Sequence, residues 1–291
     1  MSAEQNPFGM RLVDQHVEYL AARAVSPEVA RERGYVSADT KAQLRQLGFP
    51  STQQRVPALI IPIHDVRGEV SGWQLRPDHP RQVDGRIVKF ETQRGSPLKL
   101  DVPPRTRPHL GDPDVPLFVT EGSVKADAAV SAGLACVALH GVYGWKAKND
   151  FGGTTVLPEL EYVHLKHRRV FLGFDSDILL KPPVHAALSR FYSVLEQRGA
   201  DVGVVILPPG DYGAKCGLDD YFASGGTAHN LTTRLVQRNL PRPPSIEIDA
   251  AKEPPILDET MTLSRLLEAT HDFLCRFIVF ANRHQAVAVA L

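Results

Sequence analysis

The sequence predicts an α/β fold: a domain with a mainly parallel sheet, preceded by a small helical module and a β-rich, basic α+β subdomain. Three observations carry this. Short apolar runs alternate with helical stretches from Leu117 to Gly226. Strands separated by helices imply parallel pairing through right-handed crossovers. Residues 57–92 hold β-prone runs divided by turn residues, and residues 16–48 carry closely spaced helix-start and helix-stop signals.

The bulk numbers agree. The chain has 291 residues and is 43% hydrophobic, enough for a sizeable core and two modest domains. Lys plus Arg equals Asp plus Glu at 33 each. A strongly basic coat is therefore excluded, although a local basic patch is not. Cys136, Cys216 and Cys275 lie far apart with no C-x-x-C pair, so neither a zinc ribbon nor a disulfide framework is supported. The N-terminus has no apolar signal core, and no apolar run reaches membrane-spanning length. A cytoplasmic protein without a membrane partner is expected.

Residues 1–55 are expected to form the helical module, a packing appendage. Residues 1–13 read as a lead-in, and HVEYLAARA (16–24) has helical spacing. Ser26-Pro27-Glu28 supplies an N-cap, an N1 proline and an acidic first turn. PEVARERG closes at Gly34. Ser37-Ala38-Asp39 is expected to open the next helix, TKAQLRQLG, closed by Gly48.

Residues 56–110 form the β-rich subdomain. PALIIPI and EVSGWQLRP read as strands joined at His64–Gly68, and RIVKFET follows a polar loop. Arg76, Arg81, Arg86, Lys89, Arg94 and Lys99 fall here. Gln74-Leu75-Arg76 and Val88-Lys89-Phe90 alternate, which places some charges on one sheet face, a surface suited to phosphates; a solvated face is the plainer alternative. The proline-rich stretch 101–116 marks a boundary.

Residues 111–238 form the α/β domain. Its strands are 116–120, 135–139, 168–174 and 202–207. The helices are 123–132, PPVHAALSRFYSVLEQRG with Gly199 at its end, and LDDYFASGG. Residues 239–291 begin linker-like and become helical and apolar. They stop without a cap or polar tail, and a further domain is expected downstream.

Three carboxylates fall at predicted strand ends: Glu121 after LFVT, and Asp175 and Asp177 after FLGF. Ligand sites of open α/β sheets lie outside the carboxyl ends of the strands. Residues two apart in extended structure point the same way, and two carboxylates so placed repel unless a cation lies between them. Mg²⁺ (or Mn²⁺) suits such a site, because it takes few carboxylates and keeps waters for a phosphate. The alternatives are helix-terminus stabilisation for Glu121 and an Asx turn for Asp175-Ser176-Asp177. Lys125 and Asp127 follow Glu121, and Lys215 precedes Asp219 and Asp220. Lysines here can hold phosphate or neutralise the acidic cluster. Lys181 reads as a surface residue, Asp219 as a helix cap, and Asp220 as exposed.

EGSVKAD, DSD and KCGLDDYF together resemble the motifs of the Toprim domain of primases, topoisomerases and related nucleases. The resemblance spans roughly residues 56–225. It implies a Toprim-like, Rossmann-type fold, with Glu121, Asp175 and Asp177 as catalytic and metal-holding groups. IPIHDVRGEVSGWQLR and VKF are similar to the basic part of the primase core, which gives Arg76 and Lys89 a role on nucleic-acid or nucleotide phosphates, joined by Lys125 and Lys215. Asp127, Asp219 and Asp220 are supporting residues. TEGSVKADAA, HGVYGW, FDSD and KCGLDDYFA resemble more closely a Toprim-like family of unknown function in replication proteins of phages and mobile elements, often fused to a helicase-like ATPase. The implied activity is primase-like nucleotidyl transfer, with single-stranded DNA and nucleotides as partners. Metal-dependent cleavage and non-catalytic DNA binding beside a helicase are the alternatives.

Overall fold

The computed structural model describes residues 9–148 and 153–238, with Arg265 and Glu268. The expectations for 239–291 otherwise lie outside the described residues. At the N-terminal end are helices α1 (Asp14–Ala21), α2 (Pro27–Arg33) and α3 (Lys41–Gln46). The Ser26 side chain caps α2, and Thr40 and Gln43 form a capping box on α3. Between α2 and α3 lies a strand, β1 (Val36–Ala38), where the sequence suggests a helix start. Three residues are too few to show a period, and β1 exists through its antiparallel pairing with β2 (Ala58–His64). The helices therefore belong to the first sheet, whose order is β1–β2–β3–β6, with β3 at Val70–Pro77 and β6 at Glu91–Thr92. RIVKFET is not one strand. Its start, β5 (Arg86–Val88), pairs with β4 (Arg81–Val83), and its end is β6.

The second sheet is mixed and mostly parallel. Its elements in chain order are β7 (Leu117–Glu121), α4 (Ser123–Ser131) and β8 (Ala135–Leu139), then a hairpin of β9 (Lys146–Lys148) and β10 (Thr154–Val156). After these come β11 (Arg169–Gly173), α5 (Pro182–Gln197), β12 (Asp201–Val205), α6 (Leu218–Ala223), α7 (Ala228–Arg234) and β13 (Val236–Gln237). The sheet order is β13–β12–β11–β7–β8, with only β13 antiparallel. Both faces are buried, as a parallel sheet requires. Leu117, Val119, Val170 and Leu172 face a core shared with Leu188, Phe191 and Leu195 of α5. Phe118 and Phe171 face the opposite core, with Val124 and Ala128 of α4 and Leu218 of α6.

From β7 the chain moves outward to β8 on one side, and β11 returns on the other side of β7. The sheet's switch point thus lies between β7 and β11. The two margins of the parallel strands each meet further backbone. β13 pairs with β12. On the opposite side Asp101 and Ala138 exchange backbone hydrogen bonds of 3.0 and 2.8 Å.

The stretch 101–116 reads as a boundary, but its first part is packed. Asp101, Val102 and Thr106 are buried. Arg33 of α2 crosses this junction fully buried. Its guanidinium donates to Asp101 Oδ1 at 2.5 Å, to Asp127 Oδ1 on α4 at 2.8 Å, and to the Pro62 carbonyl at 3.2 Å. Tyr35 also donates to Asp127, at 2.6 Å. Burial alone would lower the Arg33 pKa, but Asp101 and Asp127 more than reverse that. The helical module is thereby tied to both sheets.

Candidate functional site

A cleft of about 870 Å³ opens between the two sheets at the switch point. One wall is the carboxyl edge of the parallel sheet, with Glu121, Lys125, Asp175, Lys215 and Asp219. The other is the face of the antiparallel sheet bearing Gln74 and Arg76, with Lys89 nearby. Strand geometry explains the second wall. Leu75 is buried in the core beneath the sheet, so its neighbours Gln74 and Arg76 point the opposite way.

Glu121 is the last residue of β7 and Asp175 follows β11. Gly122 then starts α4 at φ 94°, a conformation that favours glycine, and its N–H donates to the Leu139 carbonyl at 2.9 Å. The turn brings Ser123 and the N-terminus of α4 to the cleft, where a helix end attracts anions. Burial pushes the Glu121 carboxyl above its ordinary range; Lys125 opposes this and Asp175 reinforces it.

The other groups are fixed by ion pairs. Asp175 is 3% exposed, with one oxygen on the Lys125 ammonium and the other 2.5 Å from that of Lys215. Arg23 donates to Asp219 at 3.0 Å and to Asp220 at 2.5 Å. Asp220 in turn accepts from the Gly217 N–H at 3.0 Å, so it caps α6 rather than standing merely exposed. Asp127 is remote from the cleft and holds Arg33.

Asp177 departs from expectation. Residues 176–179 form a tight 3₁₀ turn, so the D-x-D pair is not extended and its side chains do not share a face. Asp177 pairs with Lys181 at 2.5 Å and is not among the residues lining the cleft. Lys181 therefore has a partner at the surface. A resident Mg²⁺ or Mn²⁺ needs several oxygens turned to one point. Here both Asp175 oxygens meet ammonium groups, and Asp177 turns to Lys181. Among the described residues no three Asp, Glu, His or Cys side chains are arranged to hold a metal ion. As placed, the donor set does not fit a resident divalent ion.

Sequence reasoning missed Tyr19, Arg23, Gln74 and His140, all lining the cleft. Arg76 stacks over the Tyr19 ring at 3.9 Å from its centroid. The sequence signals were the HGVYGW motif, which begins with His140, and the four-residue spacing of Tyr19 and Arg23 in a stretch with helical spacing. His140 is held below its ordinary pKa by burial, and its Nε2 has no hydrogen-bond partner among the described residues.

Glu121→Gln is expected to raise the melting temperature near neutral pH. A raised folded-state pKa means that the charged form is penalised once pH exceeds that pKa. The gain should therefore shrink toward zero as pH falls to the ordinary value of 4.5. Thermal scans of both proteins between about pH 5 and about pH 8 check this; a gain independent of pH would contradict it.

Comparison with known proteins gives three kinds of result. A domain of unknown function (DUF3854) matches residues 109–229, which hold the parallel sheet and its acidic edge. An uncharacterized protein of Picosynechococcus sp. (strain ATCC 27264 / PCC 7002 / PR-6) is 29% identical over a 150-residue alignment that covers 45% of this chain and 15% of that protein. The match thus spans a small part of the relative's length. Among solved structures, a DNA primase domain from Pseudomonas aeruginosa is 18% identical with a TM-score of 0.50, over 77% of this chain and 72% of that one. The RNA polymerase domain of Mycobacterium tuberculosis primase, in complex with double-stranded DNA, is 20% identical with a TM-score of 0.50, over 76% and 74%. What these likenesses establish is the fold: the chain has the mixed α/β architecture of a primase catalytic core.

Proposed function

We propose that this chain is the primase-like domain of a DNA replication protein, with Toprim-like strand ends, taking single-stranded DNA and nucleotides into its cleft for nucleotidyl transfer. One observation carries the reading: the cleft sets Glu121 and Asp175, at the switch point of the parallel sheet, opposite Arg76 and Lys89. The basic wall holds phosphates of the template, and Lys125 and Lys215 hold those of the incoming nucleotide. That nucleotide arrives as its magnesium complex, so the ion is part of the substrate. In the step itself the 3′ oxygen bonds to the α-phosphorus, the bond to pyrophosphate breaks, and pyrophosphate departs. Glu121, whose raised pKa suits a base, takes the hydroxyl proton. A helicase-like ATPase, on the same or another chain, supplies the single strand.

The test is primer synthesis on single-stranded templates with nucleotides and Mg²⁺. Wild-type protein should give products, and Glu121→Gln should reduce them by about 10²-fold or more. No product on any template would overturn the reading. Nicking without nucleotides would replace it with a nuclease. A second reading, DNA binding without catalysis, is favoured by the ammonium groups on both Asp175 oxygens. DNA bound equally by wild type and Glu121→Gln, with no product from either, would support it.

A further inference from the structure

We propose that Lys125 and Lys215 form a phosphate-binding pair held in place by Asp175, and that this pair supplies the positive charge a resident divalent cation would otherwise bring. The inference deepens the proposed function, since it assigns phosphate recognition to the same cleft. Asp175 is then a positioning residue for two ammonium groups and not a metal ligand.

Four features of the structure point this way. First, Asp175 is almost fully buried, and each of its oxygens faces a different lysine. The nearest cation to each oxygen is thus an ammonium of this chain, and each ammonium keeps donors for another anion. Two ammonium groups beside Asp175 exceed its single charge by one, which offsets the repulsion Glu121 would present to a phosphate. Second, the space for this cluster is built into the backbone. Gly217 has φ −101°, which any residue adopts, so conformation does not require glycine there. Space does: a Cβ at 217 would lie 2.6 Å from Lys125 Cε and 2.8 Å from Asp175 Oδ1. The glycine lets the Lys125 chain pass over the Gly217 backbone to Asp175.

Third, the lysines face the cleft. The Lys215 side chain is 53% exposed and that of Lys125 21%, and Lys125 rises from the first turns of α4, whose N-terminus favours anions. Burial pulls the Lys215 pKa down, but its bond to Asp175 more than compensates, so the ammonium stays charged. Fourth, the other acids nearby have cations of their own, although Glu121 and Asp219 also feel the Lys125 charge. Asp219 and Asp220 are taken by Arg23, and Asp177 by Lys181. His140 adds an unpartnered buried Nε2 on the same cleft. The ligand class is a phosphate ester, either a strand phosphodiester or a nucleoside triphosphate.

The experiment uses the full chain in two arms. In the first, Mn²⁺ binding is followed by electron paramagnetic resonance without nucleotide or DNA. Wild type should show no saturable site, and Lys125→Glu, which places a second carboxylate beside Asp175, should gain one. A stoichiometric site in wild type that disappears in Asp175→Asn would overturn the proposal. In the second arm, a single-stranded oligonucleotide and a non-hydrolysable nucleoside triphosphate analogue are titrated in EDTA. At least one should bind wild type, and which one does identifies the phosphate source. The Lys125→Ala/Lys215→Ala double variant should bind it about tenfold or more weakly. Undiminished affinity, or no binding of either probe by wild type, would overturn the proposal. Both lysines are partly exposed, and thermal scans verify that the variants fold. Failed primer synthesis with phosphate binding intact sinks only the nucleotidyl-transfer reading, and a wild-type Mn²⁺ site sinks only this one.

Discussion

Arg33→Ala is expected to lose about 3–5 kcal/mol of stability, the largest loss foreseen for any single ion-pair residue described here. Arg33 is wholly buried between Asp101 and Asp127, which are buried as well. Its removal leaves two carboxylates without their cation. Arg33→Lys should recover only part of the loss, because one ammonium cannot serve two carboxylates and the Pro62 carbonyl in the same fork geometry. Equilibrium urea unfolding measures both variants, and a loss under about 1 kcal/mol for Arg33→Ala would show that the junction relaxes around the vacancy. DNA binding should weaken alongside, since Asp127 belongs to the helix that carries Lys125.

Trp145→Ala is expected to cost about 3–5 kcal/mol. The indole is fully buried and stacks on Phe191 of α5, with centroids 5.4 Å apart and planes at 17°. It fastens the loop that begins with His140 and Gly141 at the cleft to the opposite face of the sheet. Trp145→Phe should lose less than about 1.5 kcal/mol. The Trp145 Nε1 is buried without a partner among the described residues, so phenylalanine removes an unsatisfied donor along with the lost volume. A phenylalanine variant as damaged as the alanine one would show that the N–H has a partner after all. The same unfolding measurement decides.

The α/β unit was legible because its signals are local. Prolines open α5 and Gly199 lies just beyond its end, and each strand is a short apolar run beside a turn. Long-range pairing was not legible. β1 is three residues whose reason for being extended lies in β2. Arg33 carries no signal in its own helix, and only Asp101 and Asp127, each more than 60 positions away, make it a core residue. The candidate site was half legible. Glu121 and Asp175 do flank the switch point, and Arg76 and Lys89 do face them. Asp177 lies off the cleft lining because the D-x-D argument assumed an extended backbone where the chain begins a 3₁₀ turn. Tyr19 and Arg23 were invisible because which way α1 faces is set by tertiary packing, not by any motif.

The covered margins of the parallel sheet restrict how this molecule can associate. A row of free backbone donors and acceptors invites an incoming peptide or a second copy to add a strand. Here β13 has taken that position beside β12, and Asp101 interrupts the row at β8. Strand addition directly onto β12 at Val204–Val205, or onto β8 at Ala138, is thus closed. A partner docking on β12 or β8 must therefore be recognised through side chains, and a single surface substitution there should suffice to break a contact that strand addition would have made insensitive to sequence.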